Sequence, residues 1–202
     1  MKAKTILFIL ISVLLMSCNN AKKETGAVRV EKDPEPKILI AYYSLTGNTK
    51  AVAEQIHNKF GGDMFEIILV TPYPPDEKTV IDIVRLEMEK DYLPEISNKV
   101  ENIDEYDIIF IGTPIWYGTA ATPIFSFVKQ YNFSGKKIVP FYTCGGGDEG
   151  SYVEDIKVFC NGAEFYNSFG NRRPDREDGT AVEKVEKHLN ELMLRPPSSQ
   201  IE

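Results

Sequence analysis

Residues 37–49 read Lys37-Ile38-Leu39-Ile40-Ala41-Tyr42-Tyr43-Ser44-Leu45-Thr46-Gly47-Asn48-Thr49. The unbroken apolar run from Ile38 to Tyr42 suits a strand buried on both faces, as in a parallel sheet covered by helices on either side. A short hydroxyl-bearing turn follows. Ala51, Val52, Ile56 and Phe60 then share one helical stripe, which Gly61-Gly62 ends. Strand, turn and helix in this order make a first βα unit.

The pattern repeats outward from that unit. Ile108 to Ile111 and Ile138-Val139 with Phe141 are further runs without alternation, and Met64–Val70 and Glu164–Phe169 complete five strands. Helices fall between them. Val80, Ile81, Val84 and Met88 mark one within Pro75–Tyr92, and Leu93-Pro94 to Tyr106 reads as a long irregular connection. Thr122-Pro123 places a cap and a proline before Ile124, Phe127, Val128 and Tyr131. Thr180-Ala181-Val182-Glu183 is a capping-box pattern that opens a last helix with Val182, Val185, Leu189 and Leu192 on one face. The alternation predicts an α/β fold of three layers, a doubly wound parallel sheet of five strands.

The chain has 202 residues, 43% hydrophobic and 26% charged, enough for one buried core and unlike a disordered chain. Its 23 Lys and Arg stand against 30 Asp and Glu, and the net charge of -7 speaks against a protein that grips nucleic acid by neutralising phosphates. Three Cys and two His are too scattered for a disulfide framework or a zinc site.

Residues 1–17 read as an address. Lys2 and Lys4 precede an apolar run from Ile6 to Met16, too short to span a bilayer but suited to a signal-peptide core. The following Leu15-Met16-Ser17-Cys18 resembles a bacterial lipobox, which implies lipidation at Cys18 and a protein anchored to a membrane of the cell envelope, outside the cytoplasm. An uncleaved anchor is the alternative. Residues 18–36 are polar and lack an apolar period, so they read as a tether. The folded domain spans 37–194, and 195–202 form a tail bearing Pro and Ser.

In doubly wound sheets ligands bind beyond the carboxyl ends of the strands, where the topology reverses. Three loops matter there. The first, Ser44 to Thr49, offers hydroxyls, an amide, a glycine and the unpaired N–H groups of a helix start, which together can enclose a phosphate. Plain helix capping by Thr46 or Asn48 would use the same residues. No GxxxxGK[ST] is present, which excludes a nucleotide-hydrolysing P-loop. The second loop, Gly112-Thr113-Pro114-Ile115-Trp116-Tyr117-Gly118, carries the sole Trp of the chain beside a Tyr. Exposed aromatic rings there call for a planar partner, unless Trp116 tucks into the core.

These residues resemble the short-chain flavodoxin-like family, which binds FMN. The resemblance rests on Thr46-Gly47-Asn48-Thr49 after the first strand, on Gly112 to Gly118 after the third, and on a glycine-rich turn after the fourth. It implies the strand order 2-1-3-4-5. It also implies that Ser44, Thr46, Gly47, Asn48 and Thr49 hold the FMN phosphate, while Thr113, Pro114, Ile115, Trp116, Tyr117 and Gly118 border the isoalloxazine ring.

The third loop, Thr143-Cys144-Gly145-Gly146-Gly147-Asp148-Glu149-Gly150, formally matches GxGxxG, but Asp148 and Glu149 would face a pyrophosphate and the preceding strand is the fourth. Cys144, Gly145 and Gly146 are therefore assigned to the flavin edge, where glycines admit close backbone N–H groups. No aromatic residue lies within this loop, although Tyr142 and Tyr152 flank it, so one ring face is expected to be open. A nucleophilic role for Cys144 lacks a nearby base, since His57 and His188 fall on helices and read as solvent-side. Arg172, Arg173 and Arg176, interleaved with Asp175, Glu177 and Asp178, read as a solvated mixed-charge loop or as a contact for a phosphorylated nicotinamide.

The expected function is FMN-dependent electron transfer at a membrane surface, with a basic redox protein or a quinone as partner and without nucleic acid. An NAD(P)H or quinone reductase on the same fold is the enzymatic alternative, and a flavin-binding module without redox function is a third. The acidic surface is expected to lower the flavin potential by opposing negative charge on the ring.

Overall fold

The structure, a computed structural model, describes residues 36–173 and 180–194. The expected signal segment, Cys18, nearly all of the tether, Asp175 to Asp178 and the tail lie outside the described residues.

Strand β1 (Ile38–Tyr42) leads into helix α1 (Asn48–Phe60), then β2 (Asp63–Glu66) and α2 (Glu77–Glu89). After a 3-10 turn at Ile103–Glu105 come β3 (Ile108–Trp116), β4 (Thr119–Ala120), α3 (Thr122–Val128) and β5 (Lys137–Cys144). Helix α4 (Tyr152–Lys157), β6 (Glu164–Phe165), β7 (Phe169–Arg172) and α5 (Ala181–Leu194) complete the described chain.

The sheet runs β2-β1-β3-β5-β6, and β7 also pairs with β5. This is the expected order 2-1-3-4-5, with β5 as the fourth strand and β6 and β7 sharing the fifth position. Lys137 and Ile138 pair with Glu164 and Phe165, and Phe141 to Cys144 pair with Phe169 to Arg172. Pro140, which offers no N–H, stands where β5 changes partner on this edge. The other added strand, β4, folds back antiparallel on the end of β3. Residues Gly112 to Trp116, expected as loop, thus continue β3 as strand, because β5 keeps pairing with β3 as far as Pro114 and Thr143.

The central strands are covered on both faces, which explains their lack of alternation. One layer buries Val52, Ala53, Ile56 and Val185 against Ile40, Phe110, Val139 and Phe141. The other buries Ile124, Phe127, Tyr152 and Ile156 against Leu39, Ile109, Ile111 and Ile138. Burying one such side chain contributes about 1.5–3 kcal/mol. Two faces of helices differ from expectation. Ala51 is exposed and Ala53 takes its place in the core, and Val182 is 50% exposed while Val185 is buried. His188 is not solvent-side either: its ring stacks on Phe169 at 4.6 Å, since α5 packs against β7. Among the described residues no helix is long and apolar enough to cross a membrane.

Candidate functional site

The carboxyl ends of β1, β3 and β5 open on a cavity of about 520 Å³, within the roughly 300–1,000 Å³ typical of ligand pockets. Its first wall is the turn between β1 and α1. Gly47 is the N-cap, in the left-handed conformation at φ 85, and as a glycine it offers the helix no side-chain cap. Asn48 instead donates its amide to Thr46 Oγ1 at 2.8 Å, and Ser44 Oγ accepts the Lys50 N–H at 3.2 Å. Simple capping by Thr46 or Asn48 is thereby set aside. The first turn carries no acidic residue, so the positive end of the helix dipole faces the cavity without internal compensation. Thr49 is buried and its hydroxyl bonds Thr143 at 2.9 Å, tying α1 to the end of β5.

The second wall is the β3–β4 hairpin. Tyr117 and Gly118 form its turn, both at positive φ, 50 and 79. A tyrosine in that region carries backbone strain. It holds its ring 55% exposed at the cavity, with its hydroxyl donating to the Ile81 carbonyl of α2 at 3.1 Å. Trp116 is half-buried. It meets Tyr43 and Tyr73 edge-on, at centroid distances of 5.8 and 5.6 Å. Behind it the Glu87 carboxylate accepts the hydroxyls of Tyr73 at 2.6 Å and Thr122 at 2.7 Å, which fastens α2 to the start of α3. Burial, reinforced by Glu87, pushes the phenols of Tyr43 and Tyr73 well above the usual tyrosine range, so both remain neutral.

The third wall is the turn after β5. Cys144 donates its thiol to the Gly147 carbonyl at 3.1 Å. The far end of this turn is locked to the hairpin: Ser151 N–H donates to the Gly118 carbonyl at 2.8 Å, and Asp155 accepts the hydroxyls of Ser151, at 2.5 Å, and Thr119. Neither of the aromatic residues that flank the turn lines the cavity. Tyr152 is fully buried and donates to the Ile111 carbonyl at 2.6 Å. The Tyr142 phenol is raised, chiefly by burial and then by Glu149, its hydrogen-bond partner.

Of the residues expected at the site, Thr46, Asn48, Thr49, Pro114, Ile115, Trp116, Tyr117, Cys144 and Gly145 line this one cavity. Ser44, Gly47 and Gly118 support its walls without lining it, and Gly146 does not line it. Thr113 turns inward: fully buried, its hydroxyl donates to the Pro114 carbonyl and accepts the Ala121 N–H. Sequence reasoning missed Leu45, Val80, Ile81, Val84, Thr143 and Arg173, which also line it. The apolar period of α2 was visible, but nothing local indicated that one side of the helix meets the crevice. Among the described residues no His, Cys, Asp and Glu cluster could hold a metal ion.

A helix start with a glycine N-cap, an aromatic hairpin and a glycine turn at the switch point of a doubly wound sheet define a nucleotide-type binding protein of the α/β class. The chain belongs to the flavodoxin family, whose sequence profile, described as Flavodoxin, matches residues 37–184. It is 27% identical over 126 residues to a flavodoxin of Synechococcus elongatus and 29% identical over 126 residues to flavodoxin 1 of Escherichia coli. Each alignment covers 60% of this chain, and the chain spans only 58% and 54% of those relatives' lengths. A crystal structure from Bacteroides eggerthii, assigned as a flavoprotein, superposes with a TM-score of 0.66 at 30% identity, covering 79% of this chain and 99% of that one. A flavoprotein from Lactobacillus acidophilus, solved in complex with FMN, gives a TM-score of 0.57 at 27% identity, covering 72% and 98%.

Proposed function

We propose that the chain binds FMN in this cavity and carries electrons with it. The observation that carries the reading is the α1 N-terminus, which has a glycine as its N-cap and no acidic residue in its first turn and opens on the same cavity as Trp116 and Tyr117. An anion at that helix end and a planar ring at the hairpin fit a flavin mononucleotide. The FMN complex of the Lactobacillus acidophilus relative supports this choice.

Bound FMN would supply the electron-carrying chemistry, and the chain supplies the setting. Gly47 and the first N–H groups of α1 receive the phosphate, with Thr46 and Asn48 as polar neighbours. Tyr117 offers its ring to one face. Cys144 and Gly145, which bring no aromatic ring, leave the other side accessible to an electron donor or acceptor. Val80, Ile81 and Val84 add an aliphatic wall. That wall favours, as a second reading, reductase activity toward a quinone, a planar and largely apolar acceptor.

Purified chain mixed with FMN is expected to give a yellow 1:1 complex with quenched flavin fluorescence. Thr46→Glu should abolish it by setting a carboxylate against the phosphate. Failure of the unaltered chain to bind FMN at micromolar concentration overturns the reading.

The same proposal places the protein at the envelope face of a membrane through lipidated Cys18, with its acidic surface meeting a basic redox partner. Support comes from the sequence pattern at 1–18 alone. Cys18→Ser is expected to leave unprocessed precursor without acyl label, and a mature N-terminus mapped elsewhere would refute the anchor.

A further inference from the structure

Among the described residues lining the cavity, Arg173 alone carries a formal charge. It follows the last residue of β7, and β7 pairs with β5 so that Arg172 lies opposite Cys144. Arg173 therefore stands beside Gly145, and a Cβ built on Gly145 would lie 4.0 Å from its Nη2. The glycine leaves room for the guanidinium to reach over the third turn.

The part of a bound flavin that this charge meets follows from the third turn. The FMN reading above sets Cys144 and Gly145 at the ring end of the ligand, and Arg173 stands against that turn. The phosphate cradle is not remote, since Thr49 of α1 bonds Thr143 at the end of β5. An ion pair with the phosphate is therefore the alternative, and it would weaken oxidised and reduced FMN alike when Arg173 is replaced.

We infer that Arg173 sets the redox potential of the bound flavin, raising it by stabilising the negative charge that the ring acquires on reduction. This rests on the FMN reading above. The oxidised ring is neutral. Taking up two electrons and one proton leaves it with one net negative charge, spread over the pyrimidine end, while the phosphate charge is unchanged. A guanidinium beside the ring would interact far more with its reduced than with its oxidised form, so it would shift the equilibrium rather than the affinity of the resting form. The acidic surface acts in the opposite direction, but from longer range and through more solvent. Asp148 and Glu149 lie in the same turn. Asp148 accepts the Gly150 N–H and Glu149 accepts the Ser168 hydroxyl, both bonds directed within the turn and its neighbours.

The experiment compares full chain, Arg173→Gln, Arg173→Lys and Arg172→Gln, each reconstituted with FMN and equilibrated at pH 7 with dyes of known potential as the two-electron reductant. Arg173→Gln is expected to weaken reduction about tenfold, equivalent to about 30 mV for a two-electron couple. Its dissociation constant for oxidised FMN should stay within twofold of the wild type. Arg173→Lys should keep most of the potential. Arg172→Gln, which removes the same charge one residue away, should shift it by less than half as much, and 1 M salt should shrink the Arg173→Gln effect. An unchanged potential in Arg173→Gln overturns the inference. So does equal weakening of oxidised and reduced FMN, which would make Arg173 a uniform binding contact. Absence of FMN binding in every variant and in the wild type would instead refute the cofactor reading, a result readily told apart from either.

Discussion

The two ends of the candidate site are built differently. The turn at the phosphate end, Ser44 to Lys50, is folded by bonds between residues at most six apart, Ser44 with Lys50 and Asn48 with Thr46, and it is tied outward by Thr49 to Thr143 and by Lys50 to Glu66. The ring end is assembled from distant segments. The Gly118 carbonyl is held by Ser151, thirty-three residues later in the chain, and Tyr117 is held by α2, thirty-six residues earlier. A locally folded turn can be read from a motif. A site closed by remote contacts is fixed only once the sheet has brought its parts together.

The sharpest way to break this contrast is Gly150→Ala. Gly150 sits at φ +57, and an added Cβ would fall 1.9 Å from the Gly118 carbonyl oxygen. The hairpin would have to move. A loss of about 2–3 kcal/mol in stability is expected, read as a lower urea midpoint at unchanged slope, together with weaker FMN binding. Gly147→Ala, in the same turn but meeting nothing within 4 Å, should stay within about 0.5 kcal/mol of the wild type. Equal effects of the two would show that the turn is not anchored through Gly150.

Trp116 and Tyr117 sharpen the comparison within a single hairpin. Trp116 leans on Tyr43 and Tyr73 and is part of the packed wall, so Trp116→Ala should cost about 2–3 kcal/mol in the protein without FMN. Tyr117→Gly relieves about 1 kcal/mol of left-handed strain, which offsets its lost bond to Ile81. Stability should change by less than about 1 kcal/mol, whereas the dissociation constant for FMN should rise about tenfold. If Tyr117→Gly leaves FMN affinity and fluorescence quenching intact, the exposed ring is not a flavin contact.

How much of this was legible follows the same division. The central strands and the first turn were readable because buried strands and a helix start write themselves into neighbouring residues, whereas the sheet order came only with the family resemblance. The extension of β3 through Gly112–Trp116 was not, since it depends on β5 remaining paired as far as Thr143. Nor was the place of α2 at the cavity, which depends on the buried Glu87 holding Tyr73 and Thr122. Arg173 read as one charge among several in a mixed loop. Only the pairing of β7 with β5 sets it beside Gly145.

Thr49 joins the two ends. Its hydroxyl meets that of Thr143 inside the protein, and both residues are at most 4% exposed. Thr49→Val keeps the shape but leaves the Thr143 hydroxyl without that partner, a loss of about 1–2 kcal/mol. Thr49→Val with Thr143→Val should recover part of it, because no hydroxyl is then stranded. If the double variant is less stable than the sum of the two singles, the pair contributes something beyond this hydrogen bond.

The smallest effect at neutral pH is expected from the cysteines, again one at the ring end and one remote from it. Both are buried. Cys144 donates to Gly147, whereas burial alone pushes the Cys160 thiol up to about 12 from 9.0. The folded state thus keeps Cys160 protonated where the unfolded chain ionises. Between pH 9 and 12 the unfolded state binds fewer protons than the native state, so this contribution is whole below pH 9 and declines as pH rises toward 12. Tyr106, raised to about 12 chiefly by burial and then by Asp63, adds a similar decline that begins near pH 10. Cys160→Ala should therefore alter stability little at pH 7, by about 1 kcal/mol for the lost sulfur packing, and should flatten the fall between pH 9 and 10, before the tyrosines begin to ionise. Urea midpoints at half-unit intervals of pH would show it. An identical slope in wild type and variant over that interval would mean that Cys160 ionises alike in the folded and unfolded chains, and that the layer around it admits water.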